Sequence, residues 1–487
     1  MTIALERRLA NFRATAATRP AQDRPSRAIR LGAARLAATL DGELVETPLG
    51  AFVRVAGRST LLPVDRKRLA ALPGQPPADA PLLCLDTETT GLATAAGTLA
   101  FLVGLGWWEG SVFRQEQLLL PDHDDEPALL AELAGRIPAT GWLVTYNGRG
   151  FDWPLLVARY RMAGHAAPTH AGHLDLLPLV RRLFRHRMED ARLRTVERRL
   201  LGVERHGDVD GAEIPGRYLA FLRGGEPGPL VEVVRHNDED VRSLARLVAH
   251  VDASFADPGR RSGAHPGDLA GLARAFLRAG RIEEALDCLD RAIEAGARGP
   301  EAAMPHSSPG TSSGHRAGET TAQPLLSSVP SGADDDRWWT PSRVPDFGGR
   351  PSRYGTPGSW RSLDPERLDT SWSDPRLLAD RARLLRRSGR LRDAERAWLE
   401  IADAGALRGA LAWVEIAKLR EHRFRDPGAA LLAVATATRI VERQRAIGRP
   451  APHLETALSR RTARLRRRLA GRVGRAGGQA VSRPPAA

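Results

Sequence analysis

Two acidic residues stand two positions apart at the end of an apolar run. The run 81–85, PLLCL, is followed by DTETTG at 86–91, and a short apolar run that ends in a turn signal predicts a buried strand. Residues two apart in a strand point to the same face, so Asp86 and Glu88 present their carboxylates together. A divalent cation removes the repulsion between them. Mg²⁺ or Mn²⁺ suits such oxygen ligands, and two ions about 4 Å apart serve phosphodiester cleavage. A solvated strand end is the alternative interpretation.

Two further acidic positions follow points where the chain turns. The segment 147–152, NGRGFD, follows a predicted strand and leads into a helix, so Asp152 either faces a site or caps that helix. His236 and Asp240 are four residues apart in a predicted helix and share one face. A His–Asp pair at this spacing is otherwise a surface contact.

The elements that must position these residues lie in residues 81–252, which we expect to form one α/β domain. Its predicted strands cover 81–85, 98–108, 112–119 and 142–147, with a hairpin turn before the third. Its predicted helices cover 126–137, 154–163, 174–184, 195–201 and 229–251. This order predicts a mixed sheet packed by helices.

Helical hairpins follow that domain. Their helices are predicted over 269–281 with 283–294, 377–390 with 393–402, and 410–420 with 427–443. A helix, a turn and a helix with small residues at the contact resemble tetratricopeptide units, and a generic helical hairpin is the alternative.

The remaining boundaries come from composition. Residues 1–80 are expected to be an N-terminal arm with a small β hairpin, 264–298 the first helical repeat and 374–470 further repeats. The Ser-, Gly-, Pro- and Thr-rich stretch 299–373 and the tail 471–487 are predicted to be disordered.

The net charge of +14 is concentrated at the two ends of the chain. Residues 1–36 contain eight arginines against two acidic residues, and residues 437–487 contain thirteen against two. Such ends, including Arg464, Arg466, Arg467 and Arg468, can contact phosphate backbones. Because Lys occurs only at positions 67 and 418, a compositional bias of the genome is the alternative.

Two other features bear on location. No apolar run reaches the length of a membrane span, and the first residues lack the apolar core of a signal peptide. Two cysteines do not make a disulfide framework. We therefore expect a cytoplasmic protein with no membrane partner.

Taken together, the three acidic segments resemble the DEDD exonuclease superfamily, which has a ribonuclease H-like fold. The shared order is Asp-x-Glu, then Asn-Gly-x-x-Phe-Asp, then an imidazole or aromatic side chain ahead of a final Asp, over residues 81–252. Four stretches resemble its YprB-like branch, which often carries C-terminal helical repeats: HLDLL at 173–177, TVERRLLG at 195–202, IPGRY at 214–218 and HNDEDV at 236–241. The expected fold is α/β, a ribonuclease H-like mixed sheet with flanking helices, followed by an all-α helical-repeat region.

The resemblance implies a metal site and assigns its residues. Two Mg²⁺ or Mn²⁺ ions would be held by Asp86, Glu88, Asp152 and Asp240. Glu88 is also expected to be catalytic, as a ligand of the first ion or by steering a terminal 3′-hydroxyl. His236 stands where one class of the superfamily has Tyr, and its reference pKa near 6.5 would let it accept a proton from water. It could instead orient the water or contact a group next to the metal ligands.

Three further residues receive roles beside this site. Thr87 and Asn147 are expected at the substrate, Asn147 also bracing the turn that carries Asp152. Asp175 is expected to support the site.

The implied activity is a metal-dependent 3′–5′ exonuclease or RNase that acts on single-stranded RNA or DNA by a two-metal mechanism. One alternative is a catalytically weak nucleic-acid-binding or scaffold protein whose repeats dock a protein partner. Another is a structure-specific endonuclease of the ribonuclease H type.

Overall fold

A computed structural model describes residues 27–91, 97–297, 376–403 and 406–479. The first part of the predicted arm, the predicted disordered insertion 299–373 and the end of the tail from residue 480 lie outside the described residues. Where the sequence predicts disorder from residue 471, the last helix continues to Gln479.

An eight-stranded mixed sheet forms the N-terminal part. Its strands are β1 (Glu43–Thr47), β2 (Gly50–Ala56), β3 (Thr60–Leu61), β4 (Leu82–Thr89), β5 (Ala100–Glu109), β6 (Val112–Leu119), β7 (Trp142–Thr145) and β8 (Gly172–Asp175). Their order is β1-β2-β6-β5-β4-β7-β8, with β3 paired to β6. β5 is antiparallel to β4 and β6, whereas β7 is parallel to β4 and β8 is parallel to β7. The carboxyl ends of β4, β7 and β8 therefore meet at one edge.

Helices flank this sheet. They are α1 (Arg27–Thr39), α2 (Arg66–Ala70), α3 (Glu126–Arg136), α4 (Asp152–Met162), α5 (Leu176–Leu183), α6 (Leu193–Val196), α7 (Ile214–Leu222) and α8 (Leu230–Val251). α8 packs against β4, β5 and β6, α7 against β4, and α3 against β2. Because helices cover the central strand, its run Leu82–Leu85 is buried.

The C-terminal part is all helical. Its helices are α9 (Pro266–Arg278), α10 (Ile282–Ala297), α11 (Arg376–Arg387), α12 (Leu391–Ala402), α13 (Ala406–His422), α14 (Pro427–Ala446) and α15 (Pro452–Gln479). Consecutive helices pack against each other from α9 to α15. The predicted fold class, a mixed sheet with flanking helices followed by an all-helical region, is confirmed.

Three local predictions differ from the structure. The helix predicted from Leu174 begins only at Leu176, and residues 172–175 form β8 instead, because a short apolar run does not distinguish a strand from a helix. The small hairpin predicted within residues 1–80 is formed by β1 and β2, and it extends the main sheet through the pairing of β2 with β6. Residues 27–36, predicted as part of an arm, lie in α1, whose Leu36 is fully buried in the core of the sheet.

The arginines of the last helix have a structural role that the sequence did not indicate. Glu421 at the end of α13 is buried and accepts hydrogen bonds from Arg461 at 2.9 Å, Arg464 at 2.7 Å and Arg468 at 3.0 Å. Arg464 and Arg468 therefore tie α15 to α13, and these two are not free for the nucleic-acid track that the sequence suggested.

Two general features complete the description. Cys84 and Cys288 are both buried free thiols. Among the helices of the described ranges, none combines the length and the apolar character that crossing a membrane requires.

Candidate active site

Four carboxylates converge at the edge where β4 and β7 end. Asp86 and Glu88 lie in the second half of β4, Asp152 is the first residue of α4 just beyond β7, and Asp240 lies in α8. The pairing of β4 with β5 shifts register between Glu88 and Thr89, a bulge of the kind that re-aims side chains beside active sites. The structure thus brings together the four residues that the sequence singled out.

Burial and the repulsion between these carboxylates raise the pKa values of Asp86 and Glu88, the two that lie in β4. Burial, reinforced by the charges of Asp240, Asp152 and Glu88, raises the pKa of Asp86 well above its usual range. Burial and the charges of Asp240 and Asp152 likewise raise the pKa of Glu88. Desolvation and like charges both disfavour ionised carboxylates, so this cluster carries more negative charge than the protein around it balances.

Asp152 is held by a hydrogen bond from β4. The Thr87 hydroxyl donates to Asp152 Oδ1 at 2.5 Å. Phe151 occupies the N-cap position of α4 and Asp152 is the first helical residue, so the capping alternative for Asp152 does not hold. Burial raises the pKa of Asp152 to about 6, although the hydrogen bond from Thr87 opposes the shift. Thr87, expected at the substrate, contacts this carboxylate, and its contact with substrate stays a prediction.

A fully buried amide fixes the orientation of Asp86. Asn237 Nδ2 donates to Asp86 Oδ2 at 2.9 Å, and Asn237 Oδ1 accepts from Gln117 Nε2 on β6 at 2.9 Å. These two hydrogen bonds connect β6 to α8 and α8 to β4. Because both ends of the amide are engaged, the carboxylate of Asp86 has one preferred orientation.

One ring nitrogen of His236 is hydrogen-bonded to Asp208, and the other faces the carboxylates of Glu88 and Asp240. Its Nδ1 lies 2.9 Å from Asp208 Oδ1. Its Nε2 lies 3.9 Å from Glu88 Oε1 and 3.7 Å from Asp240 Oδ2. A carboxylate at Nδ1 places the proton there and leaves Nε2 as the acceptor.

Arg205 links the carboxylates on the α8 side. It contacts Asp240 Oδ1 at 2.5 Å and Asp208 Oδ2 at 3.2 Å, and it also pairs with the buried Glu197. Burial alone would lower the pKa of Arg205, but the charges of Asp240 and Glu197 outweigh it and raise that pKa. Arg205 is thus a fixed cation beside Asp240.

The turn before α4 is braced from β8. Asp175 accepts from the backbone N–H of Asn147 at 2.8 Å and of Arg149 at 3.3 Å, and it also caps α5 through Leu177 N–H at 3.1 Å. Asn147 adopts a left-handed backbone with φ of 66°, a conformation that Asn tolerates. Asp175 therefore supports the turn that delivers Asp152, and Asn147 shapes it while remaining exposed.

Asp238 and Glu239, which precede Asp240 in the sequence, pair with arginines rather than with the residues of the carboxylate cluster. Asp238 pairs with Arg242 at 2.5 Å and accepts from Gln115 Nε2 at 3.1 Å. Glu239 pairs with Arg242 and lies 3.4 Å from Arg246. Of the acidic run 238–240, Asp240 is the residue that faces His236 and Arg205.

The donor set of this cluster fits a divalent cation. Four buried or half-buried carboxylates offer oxygen ligands, which Mg²⁺ and Mn²⁺ prefer, and Arg205 is the guanidinium that contacts them among the described residues. In this structure Asn237 and Arg205 hold Asp86 and Asp240, and the ligand atoms of the four carboxylates do not all lie within 4.8 Å of one another.

A second cluster of residues of the kinds that bind metals, with its ligand atoms closer together, lies near the contact between α9 and α5. Within the described ranges, it consists of His186, His265 and Asp268. Internal contacts engage these atoms: His265 Nδ1 accepts from Gly267 N–H at 3.0 Å, and Arg187 contacts Asp268 at 2.9 Å. We therefore interpret this group as a polar junction between helices.

The sequence analysis assigned no role to three residues that contact the site: Arg205, Asp208 and Asn237. Asn237 stood inside the motif around His236 without an assigned role, while Asp208 and Arg205 lie in a loop whose polar composition indicates only a turn. Their contacts with the site join residues 28 to 151 positions apart, so the sequence contains no local signal for them.

Comparison with known proteins agrees with this fold. Residues 83–252 match a family model described as RNase_H superfamily. The chain is 35% identical over 215 residues to a protein of Bacillus subtilis (strain 168), "Uncharacterized protein YprB". The aligned region covers 44% of this chain and 52% of that protein. The chain thus spans about half the length of the curated relative it matches. The similarity to the RNase H superfamily therefore covers residues 83–252, and the helical region follows them.

Proposed function

We propose that this protein is a metal-dependent 3′–5′ exonuclease that hydrolyses phosphodiester bonds of single-stranded RNA or DNA. The convergence of Asp86, Glu88, Asp152 and Asp240, with His236 Nε2 facing them, carries this proposal. The RNase H superfamily domain supports it, because nucleases of that superfamily generally use divalent ions.

The four carboxylates would hold two Mg²⁺ or Mn²⁺ ions. Such ions stabilise negative charge that develops on the phosphate and the leaving oxygen. Asn237 would keep Asp86 oriented, and Thr87 would do so for Asp152, so that both ligands are positioned before binding. Preset ligands avoid reorganisation during the reaction.

His236 would accept the proton of the attacking water at Nε2. Asp208 keeps the other ring nitrogen protonated and stabilises the positive charge that the ring then carries. This division of roles is that of a general base oriented by a carboxylate. Glu88 would steer the terminal 3′-hydroxyl or share in binding an ion.

The test changes two of the four carboxylates and uses Glu239, the neighbour of Asp240 on α8, as a control. Asp240→Asn and Asp86→Asn should reduce cleavage of 5′-labelled single-stranded RNA and DNA to background, with binding largely retained, because each variant removes a ligand charge. Glu239→Gln makes the same charge change at a residue paired with Arg242 and should cleave normally.

The conditions of this assay separate the possible activities. Cleavage should require Mg²⁺ or Mn²⁺, stop with EDTA and stop on a substrate with a blocked 3′ end. Cutting of the 3′-blocked substrate would indicate an endonuclease. Binding without cleavage by the wild type would indicate a nucleic-acid-binding scaffold.

A further inference from the structure

The helical region contains a basic groove that is separate from the carboxylate site. Its lining, which we name the basic groove, comes from α10, α11, α13 and α15 and encloses about 640 Å³: Ile282, Arg386, Arg387, Lys418, Leu419, His422, Arg423 and Arg461. The volume lies within the range of about 300–1,000 Å³ that is usual for binding sites. Six of its eight lining residues are basic types.

The carboxylates near this groove do not balance its cations. Glu415 contacts Lys418 at 2.5 Å and Arg386 at 3.5 Å. Glu421 is shared by Arg461, Arg464 and Arg468. Burial, reinforced by the charge of Arg464, lowers the pKa of Arg461, because both disfavour its charged form.

Two arginines of the groove are available to a ligand. Arg387 and Arg423 are exposed, and neither has an ion-pair partner among the described residues. They lie at the ends of α11 and α13, where a basic side chain also offsets the partial charge of a helix C-terminus. The helix-dipole effect explains why α11 and α13 each end in a basic residue. It does not explain why basic residues from several helices line one cavity.

We propose that the basic groove binds the phosphate groups of a single-stranded nucleic acid backbone, an inference that rests on the proposed function. Guanidinium groups match phosphate geometry through paired hydrogen bonds. An acidic peptide would need pockets for its side chains, yet the lining of the groove offers only Ile282 and Leu419 as apolar residues and contains no Phe, Tyr or Trp. Because phosphate contacts carry no sequence information, the binding is independent of base sequence.

The test measures binding by the full-length protein in EDTA, so that no substrate is cut. Arg387→Ala with Arg423→Ala should weaken the affinity for a long oligo(rU) or oligo(dT). The slope of log affinity against log salt should fall by about 1.4, since each lost phosphate contact on a single strand accounts for about 0.7. The matched control is Arg443→Ala with Arg460→Ala, two exposed arginines outside the groove, which should change the slope much less.

Three results would overturn the proposal. Equal losses in the groove and control variants would mean that only net charge matters. An unchanged slope in the groove variant would mean that the groove does not contact phosphates. Selective loss of binding to polyglutamate, with oligonucleotide binding intact, would assign the groove to acidic protein segments.

A second measurement separates this proposal from the nuclease assignment. With Mg²⁺, the groove variant should still cut a dinucleotide at the wild-type rate, because Arg387 and Arg423 lie outside the carboxylate cluster. If the wild-type protein binds oligonucleotides through the groove but cuts nothing, the proposed nuclease function fails while the groove assignment stands.

Discussion

At the scale of single residues, the site depends on how neighbours orient its functional groups. Asp86 is oriented by Asn237, Asp152 by Thr87, and His236 by Asp208. Each of these supports is a hydrogen bond to a residue in another part of the fold. Removing a support should therefore impair the reaction without removing the reacting group itself.

The Asp208–His236 contact yields the first prediction at this scale. His236→Ala should lower kcat by roughly 10²–10⁴-fold if His236 is the base. Asp208→Asn should lower kcat less, with KM little changed, because it loosens the ring and removes its counter-charge. Asp208→Glu should recover part of the loss. Steady-state kinetics across pH would measure both, and an unchanged pH profile in His236→Ala would make His236 a structural residue.

The acidity of the carboxylates yields a prediction about stability. The pKa values of Asp86, Glu88 and Asp152 are higher in the folded chain than their ordinary values. Protonation therefore stabilises the fold. This contribution is complete below about pH 4 and is lost as the pH rises through the raised pKa values, of which that of Asp152 is about 6.

In EDTA, Asp86→Asn should consequently melt higher than wild type at pH 8, and the difference should shrink toward pH 5. Mg²⁺ should raise the Tm of the wild type at pH 8 more than that of Asp86→Asn, because ligands that bind only the folded state stabilise it. Thermal melts by circular dichroism measure both. A Tm difference independent of pH would contradict the electrostatic account.

At the scale of elements, the close approach of β5 and α8 sets the position of Asp240. Gly104 pairs with Asp86 in the β4–β5 register, and a side chain on it would lie 2.7 Å from Val241 and overlap Asn237. Glycine thus lets the helix that carries His236 and Asp240 lie directly on the sheet.

Gly104→Ala should therefore lower both activity and stability. Overpacking at such a contact costs about 1–3 kcal/mol, and a displaced α8 moves Asp240 and His236 together. Gly135→Ala is the control, since a side chain there meets nothing within 4 Å and Ala favours a helix. Denaturant titration with activity assays would check both, and normal activity in Gly104→Ala would show that α8 adjusts without cost.

At the scale of the whole molecule, α9 joins the helical region to the domain that contains the sheet. α9 packs against α5, and its buried Asp268 contacts Arg187 at 2.9 Å and His186 at 3.1 Å. A buried carboxylate between two basic groups ties the two parts together.

Asp268→Ala should loosen this junction. Loss of the carboxylate leaves buried polar groups without their partner, which costs about 1–3 kcal/mol, and the region near α9 should become more accessible to protease. Denaturant unfolding and limited proteolysis would measure these effects. Glu283→Gln, in an exposed and longer pair with Arg390, should behave like wild type; equal stability of both variants would mean that apolar packing alone holds the junction.

The sequence by itself determined the local features of this protein. Apolar runs and turn residues located β5, β6, β7 and most helices, because periods of 2 and 3.6 residues depend on neighbours along the chain. Asp86, Glu88, Asp152 and Asp240 were recognisable from the order of three short motifs, Asp-x-Glu, Asn-Gly-x-x-Phe-Asp and His-x-x-x-Asp.

Only the tertiary structure decided which groups meet. The supports given by Asn237 and Asp208, the clamp formed by Arg205, and the burial of Glu421 among Arg461, Arg464 and Arg468 all join distant parts of the chain. β8 likewise became a strand through its parallel partner β7. Such contacts depend on how elements pack across the sheet and between helices, and local residue patterns do not encode that packing.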